Sequence, residues 1–130
     1  MTEFAMRKDL RATYDEALAL VPEALKTEGF GVLSEIDIAA TLKKKIDVDF
    51  RRYKILGACN PPLAHQALTT ELAVGLMLPC NVVVYEADDG HAVVLAIDPV
   101  ATIASIGVPA LAAIAATVRA KLAAVLTRLE

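Results

Sequence analysis

The chain has 130 residues, 56% of them hydrophobic, with a formal net charge of −3 and an isoelectric point near 5.4. This length predicts one domain whose core needs no disulfide bonds. The acidic balance argues against a nucleic-acid partner, which would require a basic face.

The first half of the chain begins with a predicted short edge strand at Thr2–Met6. A helix is predicted over Thr13–Thr27, because apolar residues follow the helical period there. Thr13 and Glu16 have the spacing of a capping box at its start. Gly29 stands where a helix commonly ends in a glycine.

Residues 29–38 alternate with a period of two and predict a strand. Glu35 and Asp37 share one face of it, which permits either acid–base chemistry or a simple solvated face. A short helix over about 39–46 and a second strand over 51–59 follow.

A further helix is predicted from the Asn60-Pro61 pair to about Glu71, since Asn caps helices well and Pro suits the first helical position. After a connection, 81–87 and 92–98 predict a hairpin, because an Asp-Gly turn joins them. The chain closes with a helix over 109–129.

These elements predict an α+β fold: a mostly antiparallel sheet of four to five strands, helices packed against it, and a long C-terminal helix. That last helix is apolar over most of its circumference, so we expect contact on two sides, with the sheet and with a dimer partner. Residues 100–118 carry no charge. We expect no membrane span there, because Gly107 and Pro109 interrupt the segment.

Two features bear on cellular location. Four of the first ten residues are charged, which is not the apolar pattern of a signal peptide. The two cysteines have 20 residues between them and do not form a disulfide framework. We therefore expect a cytoplasmic protein with reduced thiols.

Four segments occur in a distinctive order: Gly-Phe-Gly-Val-Leu-Ser-Glu-Ile-Asp-Ile (29–38), Tyr-Lys-Ile-Leu-Gly-Ala-Cys-Asn-Pro (53–61), Leu-Pro-Cys-Asn-Val-Val-Val-Tyr-Glu (78–86) and Ala-Ile-Asp-Pro (96–99). Together they resemble the family known as domain of unknown function 302. The resemblance covers residues 1–107 of a single domain, 1–130, with the helix at 109–129 as an extension. It implies a small prokaryotic α+β domain, often dimeric, without an established activity. The family pattern marks residues that are all present here: Glu35, Asp37, Cys59, Asn60, Pro61, Pro79, Cys80 and Asn81.

Cys59 and Cys80, each followed by an asparagine, form the main candidate site. Both thiols can be inert core residues, or they can act in redox or sulfur chemistry. A small ligand could instead be oriented by Asn60 and Asn81, whose amides both donate and accept hydrogen bonds. Any site that uses both cysteines requires that the two strand ends meet at one edge of the sheet.

A metal site is a further alternative, with His65 as a third ligand, but no fourth ligand is evident and we predict no bound metal. The sequence does not indicate whether the protein uses a cofactor. We expect a homodimer that binds a small molecule or acts through thiols, and neither nucleic acid nor membrane as partner. The competing class is a non-catalytic interaction module with inert cysteines.

Overall fold

The computed structural model describes residues 4–130. It contains a five-stranded antiparallel sheet in the order β1-β5-β4-β3-β2, with helices on one face. The predicted α+β class is confirmed. The elements are β1 (Ala5–Thr13), α1 (Tyr14–Thr27), β2 (Gly31–Asp37), α2 (Ile38–Ile46), β3 (Tyr53–Cys59), α3 (Pro61–Thr70), a 3-10 turn (Leu72–Met77), β4 (Cys80–Glu86), β5 (His91–Ile97), α4 (Pro99–Thr102), a second 3-10 turn (Ala104–Ile106) and α5 (Pro109–Arg128).

The first strand corrects the sequence prediction. Of the predicted Thr2–Met6 strand, residues 2 and 3 lie outside the described part, and the observed strand runs on to Thr13. Charged residues interrupt the alternation of apolar and polar residues that would identify β1 in the sequence. The strand tolerates them because it lies at the edge of the sheet, where its side chains reach solvent. Leu10 alone on this strand is fully buried.

The second strand lies where it was predicted, but the alternation along it is broken by a bulge. Val32 pairs with Ala58, and Ser34 pairs with Gly57, so Leu33 is the extra residue. Val32 and Ser34 therefore lie on opposite faces, whereas the sequence pattern placed them together. A bulge moves every later residue of a strand to the other face.

The two longest helices form as their local signals predict. Thr13 and Glu16 form the capping box of α1, with each side chain bonded to the other residue's backbone N–H. Gly29 adopts a φ of 83° just after the helix ends. The apolar residues that recur along the last helix at 111, 115, 118, 122, 125, 126 and 129 are buried, and Ile114 is half-buried.

The core divides into two apolar clusters. The larger lies between the sheet, α1 and the C-terminal half of α5, around residues such as Leu25, Val84 and Leu122. The smaller lies between α3, α4 and the first half of α5, around Val74, Ile103 and Leu111. Leu78 and Ile114 pack against both clusters, so the boundary between them lies at the Cys80 end of the sheet.

The final helix has a length and composition that would also suit a membrane span. Core helices of compact domains meet the same criteria, and α5 buries residues from Leu111 to Leu126 against its own fold. Its outer side presents alanines, Thr117 and Arg119.

Candidate functional site

The two cysteine segments meet at one end of the sheet. β3 and β4 are antiparallel neighbours, with Ala58 opposite Cys80 and Gly57 opposite Asn81. The end of β3 at Cys59 and the start of β4 at Cys80 therefore lie at the same end of the sheet, as the predicted two-cysteine site required. Both cysteines are free thiols, and Cys80 faces Ala58 across the ladder instead of facing Cys59. They do not form a bonded pair.

A cavity lies on the helix side of this sheet end, at the boundary between the two core clusters. Its volume is about 40 Å³. The sheet contributes Ala58 and Cys80 to its wall, and α3 contributes Ala64 and Ala67. The remaining wall residues are Phe30, Cys59, Asn60, Leu63, Leu78, Pro79, Ile103, Ile114 and Val118. The space is therefore lined almost entirely by apolar side chains.

The two thiols in this wall differ in their environment. Cys80 is buried, and burial raises the pKa of its thiol to about 11, with a smaller contribution from Cys59. At neutral pH Cys80 therefore stays protonated and is a poor nucleophile. Cys59 is half-buried and is the more accessible of the two.

Asn60 has a structural role that accounts for its amide. Its Oδ1 accepts a hydrogen bond from the backbone N–H of Leu63 and caps α3. Its Nδ2 donates to the carbonyl of Glu28 at the end of α1, over 3.2 Å. The Asn60 side chain thus pairs with one otherwise unpaired backbone group at each of two helix ends. Its amide has little hydrogen-bonding capacity left for orienting a ligand.

Asn81 lies on the other face of the sheet. Its neighbours Cys80 and Val82 point to the helices, and Asn81 is exposed on the opposite side. There it lines an open groove with Leu76, Ile97, Thr102 and Ser105, and the groove has a volume of about 450 Å³. The two asparagines of the repeated Cys-Asn motif therefore lie on opposite sides of the sheet.

Gly57 and Pro79 fit together beside this groove, which the sequence did not reveal. A Cβ on Gly57 would lie 2.8 Å from Cγ of Pro79 and would overlap Oγ of Ser34. Glycine at position 57 allows β2, β3 and the start of β4 to approach closely. The proline before Cys80 thus has a packing role.

The remaining candidates do not join the cavity. His65 is exposed on α3, although its neighbour Ala64 lines the wall. Glu35 and Asp37 do share a face, as predicted, but both are exposed on β2, and Asp37 caps α2 through the N–H of Ala40. Within residues 4–130, no group of three or more His, Cys, Asp or Glu side chains is placed to hold a metal ion.

Sequence reasoning missed the cavity residues from the chain's second half. Ile103, Ile114 and Val118 form one side of the wall. They belong to the uncharged stretch 100–118, which was the available signal. Lack of charge marks burial, but it does not show which space the buried residues enclose.

Two comparisons place the chain among known proteins. The model of the family described as "Domain of unknown function DUF302" matches residues 6–129, and the match runs through the final helix. A crystal structure of an uncharacterized conserved protein DUF302 from Bacillus stearothermophilus is 35% identical in sequence. The alignment covers 99% of this chain and 100% of that chain, with a TM-score of 0.92. None of the proteins with curated descriptions matches this chain.

Proposed function

Because this chain belongs to the DUF302 family, which is described only as a domain of unknown function, we propose its role from the geometry alone: the domain binds a small, mainly apolar molecule in the cavity at the Cys59/Cys80 end of the sheet. One observation carries the proposal. A space lined by apolar side chains stays open between two core clusters that are otherwise closely packed. Protein interiors normally leave few such spaces.

The composition of the wall defines the class of ligand. Among the wall residues, only Asn60 has a hydrogen-bonding amide, and that amide is held by Leu63 and Glu28. Recognition would therefore depend on shape and apolar surface, with Cys59 as the accessible thiol beside the ligand. Small-molecule sites commonly combine apolar walls with very few polar groups.

The thiol alternative is weaker than the binding proposal. A dithiol redox site needs two thiols that can bond each other, and Cys80 lies opposite Ala58. It also needs a thiolate, and the raised pKa of Cys80 keeps that group protonated. Thiol chemistry in this domain would then rest on Cys59 alone.

The test uses xenon as the probe, because it is smaller than benzene and enters apolar cavities. NMR of the methyl groups in the full-length protein under xenon pressure should show shifts concentrated on Ile103, Ile114 and Val118. Xenon should also slow the reaction of Cys59 with iodoacetamide.

Two matched variants make the test specific. Ala67→Leu places extra volume in the wall and should abolish the xenon shifts, whereas Ala116→Leu on the exposed side of α5 should leave them unchanged. If xenon gives no shifts, or if Ala67→Leu raises stability while wild type binds nothing, the space is a packing void and the proposal fails.

A further inference from the structure

The open groove at the Cys80 end of the sheet is a second space in this domain, distinct from the helix-side cavity. Its floor contains Asn81 from β4 and Ile97 from β5, which are antiparallel neighbours in the sheet. The Leu78-Pro79 dipeptide lines the groove on one side and the cavity on the other. A ligand in the groove therefore meets a different set of side chains from a ligand in the cavity.

The walls of the groove come from two turns that lie far apart in the sequence. Leu76 and Met77 belong to the first 3-10 turn, whereas Thr102 ends α4 and Ser105 lies in the second 3-10 turn. The groove volume of about 450 Å³ falls within the roughly 300–1,000 Å³ of small-molecule sites. Unlike the cavity, the groove combines polar and apolar side chains, so it selects a different class of ligand.

The amide of Asn81 is the polar group on the groove floor, and the fold does not use it. The amide of Asn60 bonds the backbone at Leu63 and Glu28, but the exposed amide of Asn81 has no hydrogen-bond partner among residues 4–130. An asparagine amide carries two N–H donors and a carbonyl acceptor. Asn81 can therefore pair with a carbonyl and with an N–H of the same ligand.

Two hydroxyl groups in the wall add acceptors to the groove. Ser105 donates its hydroxyl proton to the carbonyl of Thr102, and Thr102 donates its own over 3.5 Å to the carbonyl of Asp98. A hydroxyl that donates to the backbone keeps lone pairs on its oxygen with which to accept. The wall therefore favours a ligand that donates a hydrogen bond, and Asn81 completes the recognition of its carbonyl.

We propose that the open groove binds a small neutral molecule with an amide group, whose carbonyl accepts from Nδ2 of Asn81 and whose N–H donates to Oδ1 of Asn81 or to Oγ of Ser105. Within residues 4–130, the groove lining contains no charged side chain. A carboxylate or an ammonium group would lose hydration there without meeting an opposite charge. This site is additional to the ligand cavity of the proposed function and does not depend on it.

The apolar side of the groove defines the rest of the ligand. Leu76 is 90% exposed and Met77 is 41% exposed, and both stand beside the polar floor. Covering these side chains with a short alkyl chain removes apolar surface from water, which is favourable. Methionine also adapts its shape to unbranched chains. The ligand class is therefore an amide that carries a short alkyl group.

An NMR titration of the full-length protein with hexanamide tests the proposal. The side-chain amide of Asn81 and the methyl groups of Leu76, Met77 and Ile97 should shift together and saturate. Hexanoate and hexylamine have the same chain length but carry a charge, so each should bind at least about tenfold more weakly.

Two matched variants test the role of the amide. Asn81→Ala removes the hydrogen bonds to the ligand and should weaken hexanamide binding at least about tenfold. Gln66→Ala removes another exposed amide, on α3 outside the groove, and should leave binding unchanged. Equal binding by wild type and Asn81→Ala would overturn the proposal.

A second pair of variants separates the groove from the cavity. Ser105→Leu fills the groove from an exposed position and should abolish hexanamide binding, whereas Ala67→Leu in the cavity wall should preserve it. The proposal fails if wild type shows no saturable shifts or binds hexanoate equally well. It also fails if Ala67→Leu loses hexanamide and Ser105→Leu keeps it. Xenon binding in the cavity is measured separately, so the two proposals can fail independently.

Discussion

The ring of Pro79 occupies the space that a side chain on Gly57 would need. The Cγ of Pro79 lies 2.8 Å from where a Cβ on Gly57 would be, and Oγ of Ser34 closes the other side. The close approach of β2, β3 and the entry to β4 thus depends on the absence of a side chain at position 57.

Replacing Gly57 with alanine should therefore destabilise the fold by about 1–3 kcal/mol, the usual range for an overpacked site. The free energy of unfolding in urea measures the effect. Gly31→Ala is the matched control on β2, because no atom lies within 4 Å of its added Cβ. Equal stability of the two variants would show that the strands can separate at no cost.

Asn60 should contribute to stability through both ends of its amide. Asn60→Ala removes the cap of α3, worth about 1 kcal/mol, and leaves the Glu28 carbonyl unpaired, which costs about 1–3 kcal/mol more. Asn60→Ser keeps a capping oxygen but cannot reach Glu28, so its stability in urea should lie between wild type and Asn60→Ala. If Ser and Ala behave alike, the cap has no energetic value here.

The two thiols should differ sharply in reactivity. At mildly alkaline pH, one thiol per native chain should react with iodoacetamide, because burial holds the pKa of Cys80 at about 11. Cys59→Ser should abolish native labelling, and Cys80→Ser should leave it intact. Mass spectrometry after digestion identifies the modified residue. Rapid native labelling of Cys80 would contradict the burial described for it.

His91 should make the hairpin sensitive to pH. Its ring contacts Asp89 and lies 3.1 Å from Oδ2 of Asp9, and these carboxylates, Asp89 first, raise the pKa of His91. A raised folded-state pKa means that the stabilisation is complete below the unfolded value of about 6.5 and is lost as pH rises through the folded value.

Urea unfolding across that interval should show wild type losing stability as pH increases. His91→Gln has no ionisable ring and should show a smaller dependence over the same interval. An NMR titration of His91 gives the folded pKa directly. A value at or below the unfolded one would reverse the expected sign.

Local signals were enough to predict much of this fold. The capping box at Thr13 and the helix start at Asn60 depend on residues within one turn of each other, and both are confirmed. The spacing of apolar residues along α5 likewise depends only on residues within about one turn of each other. The bulge at Leu33 is different, because it exists only relative to β3, which the chain reaches 20 residues later.

The candidate site was predictable only in part, for the same reason. Two similar Cys-Asn segments indicated a shared sheet edge, and the antiparallel ladder provides it. The division of Asn60 and Asn81 between two faces depends on the pleat and register of that ladder. The cavity depends on Ile103 and Ile114, which come from a stretch whose sequence shows only that it lacks charge.

Leu78 and Pro79 line both the helix-side cavity and the open groove. This dipeptide is therefore a partition with a different space on each side. A substitution in it changes the shape of both spaces at once, so any effect it has cannot be assigned to either. Residues with access to a single space, such as Ala67 on the helix side and Ser105 on the groove side, are the positions from which the two can be studied separately.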